Sequence, residues 1–188
     1  MKPQKLTLLL CALLFVCCGG ERKSYTDYVD LRIGSGGHGH VFVGADVPFG
    51  MVQLGPTSIP EQWDWCSGYH EGDSTVIGFS HTHLSGTGIG DLFDITVMPV
   101  VGQVRYARGN EDEHESGLWS YGARSEEIAR PGYYSIPLLR YGIKAELTAT
   151  CRVGMHRYTF PCSDEAAIVF DLENGGCWDK ATGTFVER

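Results

Sequence analysis

Between residues 143 and 153 apolar and polar side chains alternate. Ile143, Ala145, Leu147, Ala149, Cys151 and Val153 are separated by Lys144, Glu146, Thr148, Thr150 and Arg152. A period of two puts the apolar set on one face of a strand and the polar set on the other. That is the pattern of an antiparallel sheet with one solvated face. Shorter strand-like runs occur at 49–54, 94–101, 158–160 and 166–172. Only the stretch 125–129, closed by Pro131-Gly132, suggests a helix, and a short one. The chain carries 25 glycines against 8 prolines, which points to many tight turns rather than a proline-rich linker. Several short strands with turn signals every ten or so residues predict an all-β fold, an antiparallel β-sandwich.

The N-terminus follows a different rule. Lys2 and Lys5 precede an apolar run from Leu6 to Val16, too short for the roughly 20 residues a membrane-spanning helix needs. It fits the apolar region of a secretory signal peptide. Cys17-Cys18-Gly19-Gly20 and the polar Glu21, Arg22, Lys23 and Ser24 follow, an order that resembles a bacterial lipobox. Cys18 is the expected acylated residue, with Cys17 as the alternative. The expected organisation is a signal peptide and lipobox over 1–18, a linker over 19–27 and one β-sandwich domain over 28–188. A new run begins at Phe185-Val-Glu-Arg188, so the domain is expected to be incomplete. Export to the periplasm or cell surface, with a lipid anchor in the membrane, follows from the leader.

Composition narrows the partners. Hydrophobic residues make up 43% of the 188 residues and charged residues 20%, an ordinary globular balance. The net charge is −8 and no Lys/Arg cluster occurs, so a nucleic-acid partner is excluded. Cys66, Cys151, Cys162 and Cys177 have no tight zinc spacing and are expected to be buried thiols. The acidic stretch 109–116 lacks the regular oxygen spacing of a calcium loop and reads as a solvated loop.

Three segments carry candidate chemistry. In 34–50, glycines allow close backbone approach, and the histidines of Gly37-His38-Gly39-His40 share a face if extended. They are placed either to hold a metal or to bond to the loop backbone. Trp63-Asp-Trp-Cys-Ser-Gly-Tyr-His70 gathers two indoles beside Asp64 and Cys66. Indole suits the apolar face of a sugar ring, and it also fills cores. Gly78-Phe-Ser-His-Thr-His-Leu-Ser-Gly-Thr-Gly-Ile-Gly-Asp91 places His81 and His83 among small polar residues that are costly to bury unpaired. It is expected to line a cleft or a domain interface.

Taken together and in order, Gly36-Gly-His-Gly-His40, Val47-Pro-Phe-Gly-Met-Val-Gln53, Trp65-Cys-Ser-Gly-Tyr-His70 and Gly78-Phe-Ser-His-Thr-His-Leu-Ser-Gly-Thr-Gly88 closely resemble the N-terminal domain of glycoside hydrolase family 92. Pro131-Gly-Tyr-Tyr-Ser135, Tyr141–Thr150 and Arg152–Pro161 extend the resemblance, which runs from about Tyr28 to Leu172.

The resemblance implies a calcium-dependent, exo-acting, inverting α-mannosidase acting on mannose-containing glycans, with α-1,2 linkages expected. It implies a sandwich packed on an (α/α)6 barrel. Inversion needs an acid and a base with room for a water between them. In the family both carboxylates and most calcium ligands come from the barrel, so no catalytic residue and no metal ligand is expected within this chain, and the chain alone is expected to be inactive. Trp63, Asp64 and Cys66 are the expected sugar contacts, with His81 and His83 as second choices. A non-catalytic carbohydrate-binding lipoprotein is the main alternative. A metal hydrolase built on His38, His40, His81 and His83 is a third reading.

Overall fold

The structure is a computed structural model that describes residues 23–107 and 109–172. The leader with Cys17 and Cys18, Cys177 and the terminal run at 185–188 lie outside the described residues. Ten strands are described: β1 (Gly55–Thr57), β2 (Thr75–Val76), β3 (Gly78–Ser80), β4 (Thr96–Val101), β5 (Ser120–Tyr121), β6 (Ile128–Arg130), β7 (Tyr133–Leu138), β8 (Ile143–Ala149), β9 (Gly154–Thr159) and β10 (Ala166–Asp171). One sheet has the order β1-β3-β4-β10 and the other β6-β7-β8-β9, with β2-β5 as a small separate ladder. All the pairings are antiparallel. The all-β sandwich is therefore what the alternation foretold.

The core lies between the two large sheets. Phe79, Met98 and Val100 from one meet Tyr134, Ile136, Leu138, Ile143, Ala145 and Leu147 from the other. Val43, Ala45 and Leu54, from the segment leading into β1, close one end of it.

Strand β8 keeps the alternation as far as Ala149, with Ile143, Ala145 and Leu147 buried. Its exception is Glu146, a polar position that is also buried. Arg157 on β9 grips it with two bonds of 2.8 and 2.6 Å, and the Tyr133 hydroxyl donates a third at 2.7 Å. The Arg157 and Tyr133 bonds hold the Glu146 carboxyl down at about 2.

Four expectations need correction. The run 143–153 is not one strand, because Thr150 N–H bonds to Val153 O at 2.9 Å and turns the chain into β9. The run 49–54 is not a strand, because Phe49 has φ 60° and Gly50 N–H closes a turn on Val47 O at 2.8 Å. The helix expected at 125–129 is a single 3-10 turn over Arg124–Glu126 followed by β6. Of the cysteines expected to be buried, Cys66 is; Cys151 and Cys162 are exposed, one in the β8–β9 turn and the other just past β9.

The helix fails because Glu127 is drawn inward. Its carboxylate side chain is only 1% exposed. Oε1 accepts from Arg124 Nη1 at 2.8 Å and Tyr134 OH at 2.5 Å; Oε2 accepts from Arg32 Nη2 at 3.1 Å and Tyr69 OH at 3.2 Å. Four donors from four parts of the chain thus meet on one carboxylate, and one of them, Tyr69, belongs to the motif segment 63–70. Arg124 also packs its guanidinium over the Tyr69 ring at 4.2 Å and donates to the carbonyls of His70 and Asp73.

Candidate functional site

The three motif segments form one unit. Gly86 N–H bonds to His40 O at 2.7 Å, Asp91 N–H to Cys66 O at 3.0 Å, and Glu71 N–H to Ser35 O at 3.0 Å. These backbone bonds tie together segments far apart in sequence and satisfy donors that burial would otherwise leave unpaired.

At the surface of the unit sits the 3-10 turn Trp63–Trp65. Successive side chains on such a turn point about 120° apart, so its two indoles diverge. Trp65 goes inward: its Nε1 donates to Asp73 Oδ2 at 2.6 Å and His70 stacks on it at 4.1 Å. Trp63 stays 43% exposed, its Nε1 donating to Gly88 O at 2.7 Å and the His40 ring meeting it edge-on at 4.1 Å. A side chain at Gly88, at φ 62°, would crowd the indole, since a Cβ there would stand 3.0 Å from Trp63 Cζ2. Trp63 is thus the indole available to a ligand, and Trp65 is structural.

Asp64 lies between these two. One oxygen, Oδ1, accepts from His38 Nδ1 at 2.6 Å and from His40 Nε2 at 3.3 Å. The His38 bond, and secondarily the His40 bond, holds the Asp64 carboxyl below its ordinary range. The two histidines therefore bond to a carboxylate rather than to loop backbone. His38 is exposed and His40 is buried.

Cys66 and His83 lie below the surface. Cys66 is 1% exposed, and burial, then the nearby Asp91 charge, pushes its thiol up to about 11. His83 bonds through Nδ1 to Ser67 O and Asp91 Oδ2, both at 3.2 Å, and Phe42 stacks on it at 5.0 Å. Both acceptors are met at Nδ1, so Nδ1 carries the proton, and the buried Nε2 has no hydrogen-bond partner. The other Asp91 oxygen accepts the N–H groups of Leu84 (2.5 Å) and Leu92 (2.7 Å).

His81 turns away from His83 and toward β9. Its Nδ1 bonds to Ile95 O at 2.7 Å, and its Nε2 meets His156 Nε2 at 3.0 Å. His156 Nδ1 in turn meets Tyr158 OH at 2.6 Å. Burial, then His81, lowers His156 to about 4. His40, Phe93 and Ile95 all have positive φ. Such backbone costs about 1–3 kcal/mol per residue and tends to gather at functional sites.

The four histidines of the metal-hydrolase reading are dispersed among these separate contacts. Among the described residues no three His, Cys, Asp or Glu side chains are arranged to hold a metal ion. Nothing in the sequence singles out His156 and Tyr158 for chemistry. His156 stands 75 residues from His81, and no local spacing signals the contact.

Comparison with known proteins defines the class first, a glycoside hydrolase domain. The model for the glycosyl hydrolase family 92 N-terminal domain matches residues 28–188. The chain belongs to glycosyl hydrolase family 92, as its N-terminal domain. A solved family GH92 alpha-mannosidase from Bacteroides thetaiotaomicron, in complex with mannoimidazole, is 41% identical with a TM-score of 0.79, over 83% of this chain and 20% of that one. An inverting GH92 mannosidase from the same organism is 26% identical with a TM-score of 0.64, over 80% of this chain and 20% of its own. An uncharacterized secreted glycosidase of Arthroderma benhamiae is 34% identical over 136 residues, 71% of this chain and 17% of that protein. The chain thus spans about a fifth of the length of these relatives.

Proposed function

We propose that this chain is the sugar-positioning N-terminal domain of an exported, lipid-anchored exo-α-mannosidase. The enzyme acts by inversion on α-mannosides, with α-1,2 linkages of glycans as the expected target. Trp63 offers its exposed indole face to a mannose ring, and Asp64, edged by His38 and His40, accepts from the sugar hydroxyls. His40, Cys66, His81 and His83 act from beneath by holding the loops. The acid, the base and most of the calcium ligands belong to the barrel domain that the resemblance implies. The observation that carries the reading is Trp63, half-exposed yet locked between Gly88 O and His40. An indole packed only for stability needs no such fixed outward plane. The family membership and the mannosidases among the similar structures support mannose as the sugar.

The test is hydrolysis of α-mannosides by the longer in-frame polypeptide, with and without calcium. Trp63→Ala is expected to weaken transition-state binding by about 1–3 kcal/mol, a fall in kcat/KM of about 5- to 150-fold, with the fold intact by circular dichroism. Unchanged kcat/KM in Trp63→Ala would remove the indole from the site. A reading frame with no continuation past codon 188, whose product binds mannosides without cleaving them, would instead establish the carbohydrate-binding lipoprotein. The anchor is checked separately by lipid labelling, which Cys18→Ala is expected to abolish.

A further inference from the structure

The stretch from Lys23 to Asp30 is exposed throughout, yet it has a definite local structure. Tyr25–Tyr28 is a 3-10 turn. Asp27 N–H bonds to Ser24 O at 3.0 Å and Val29 N–H to Thr26 O at 3.2 Å. The Asp27 carboxylate accepts the Ser24 N–H at 2.7 Å and closes the start of the turn. Side chains three apart on a 3-10 turn eclipse, so Tyr25 and Tyr28 stand on one face. No residue of the turn is buried; Tyr25 is 94% exposed and Tyr28 72%. Single exposed apolar side chains are ordinary, but here two aromatic rings share one face with none of the domain beneath them.

The covalent chain points to what lies against that face. Cys18, the acylated residue of the anchor proposed above, precedes Tyr25 by seven residues, from 18 to 25. At about 3.5 Å per residue the turn stays within about 25 Å of the lipid, even with the link fully extended. Arg22 and Lys23 lie in that link. Tyrosine joins an apolar ring to a polar hydroxyl and is enriched where hydrocarbon meets water. Basic side chains beside it suit lipid phosphates. Lys23 Nζ already stands 5.7 Å from the Tyr28 ring centre, so cation and ring are presented together. The acidic groups of the stretch are engaged with backbone: Asp27 with Ser24 N–H, and Asp30 with Arg32 N–H at 2.9 Å.

We propose that Tyr25 and Tyr28 form a membrane-contacting pair. Their rings rest in the headgroup layer of the bilayer that holds Cys18, with Lys23 on the lipid phosphates. The pair thereby seats the sandwich on the surface, where a bare linker would let it swing. The proposal rests on the lipid-anchor reading and is independent of the sugar reading.

The experiment is hydroxyl-radical footprinting of the 188-residue chain, made with its leader and placed on vesicles of phosphatidylethanolamine and phosphatidylglycerol. Mass spectrometry reads the oxidation of Tyr25 and Tyr28 against that of Tyr106, which is 77% exposed. The reference is the same mature chain made without its leader, unacylated and free in solution. On vesicles the two tyrosines are expected to react at least about fivefold more slowly relative to Tyr106, since a ring in the headgroup layer shows water only its edge. A second variant carries about ten Gly/Ser residues inserted after Gly20, which adds on the order of 15–20 Å of reach. Rings that enter the headgroup layer by their own affinity stay protected in it, whereas shielding by the nearby anchor alone returns to the solution rate.

Equal reactivity on vesicles and in solution, in a chain that takes lipid label, overturns the proposal and leaves the anchor standing. Protection that the insertion abolishes does the same. A chain that takes no lipid label removes the anchor and the membrane contact together. Protection of both rings in solution, in the unacylated form of the mannosidase proposed above, gives them to another part of that protein and overturns the membrane contact.

Discussion

Replacing Glu127 with alanine is expected to destabilise the domain by about 3–5 kcal/mol, the range for stripping one partner from a buried ion pair. At about 2–4 °C per kcal/mol for a domain of this size, the midpoint of thermal unfolding should drop by about 6–20 °C. The loss is large because one carboxylate serves four donors, Arg32, Arg124, Tyr69 and Tyr134. Tyr134 is fully buried, and burial pushes its hydroxyl well above its ordinary range, so it remains a neutral donor. Without Glu127 the Arg124 guanidinium loses its counter-charge, Arg32 keeps only Glu71 at 3.9 Å, and two hydroxyls lose an acceptor, although Tyr69 keeps a second contact with Glu71 Oε2 at 3.1 Å.

Two companion variants separate charge from hydrogen bonding. Glu127→Gln leaves an acceptor for the tyrosines but no charge for the arginines, and its cost should fall between the wild type and Glu127→Ala. Tyr134→Phe removes one hydrogen bond, about 1 kcal/mol. Urea unfolding of the three variants measures all of this. A cost below that of Tyr134→Phe for Glu127→Ala would show that the cluster is not what holds the site segment down. The effect should reach the site, because Arg124 holds the His70 and Asp73 carbonyls and Asp73 seats the Trp65 indole.

How much of this is legible in the sequence depends on the range of the interaction. The alternation in β8 reports its own burial, since period two is a local property of the strand. It overruns the strand end because Cys151 and Val153 continue the pattern in composition while Thr150 turns the backbone. Apolar composition misleads in the same way at 49–54, where Phe49 is left-handed and points fully into solvent. The family strings are readable because they stand in fixed order along the chain. The division of labour between Trp63 and Trp65 is not, since two indoles i, i+2 apart diverge only once a 3-10 turn is known to carry them. The partners of the histidines are hidden for a different reason. Asp64 stands 26 residues from His38, and His156 stands 75 from His81. Only the folded chain makes those pairs: the glycine loop meets the Trp63–Trp65 turn for the first, and β9 stands against the β3–β4 connection for the second.

The glycine loop before β1 puts the same point to a direct test. Gly39→Ala is expected to cost about 3 kcal/mol, the upper end for overpacking, because the obstacle is backbone. A Cβ at 39 would stand 2.0 Å from Gly34 O, and that carbonyl already accepts the Val41 N–H at 3.1 Å. No rotamer change relieves such a contact, so the 34–41 loop must open. Opening it separates His38 and His40 from Asp64 and frees one side of Trp63. Gly37 supplies the control two residues away. A Cβ there meets nothing within 4 Å, so Gly37→Ala carries only the strain of φ 53°, about 1–2 kcal/mol. In the mannosidase proposed above, Gly39→Ala should therefore raise KM for mannosides well beyond Gly37→Ala, with urea unfolding reporting the stability difference in parallel. Equal KM values for the two variants would mean that the histidine–aspartate contact does not set the position of the indole. The loop would then matter for folding alone.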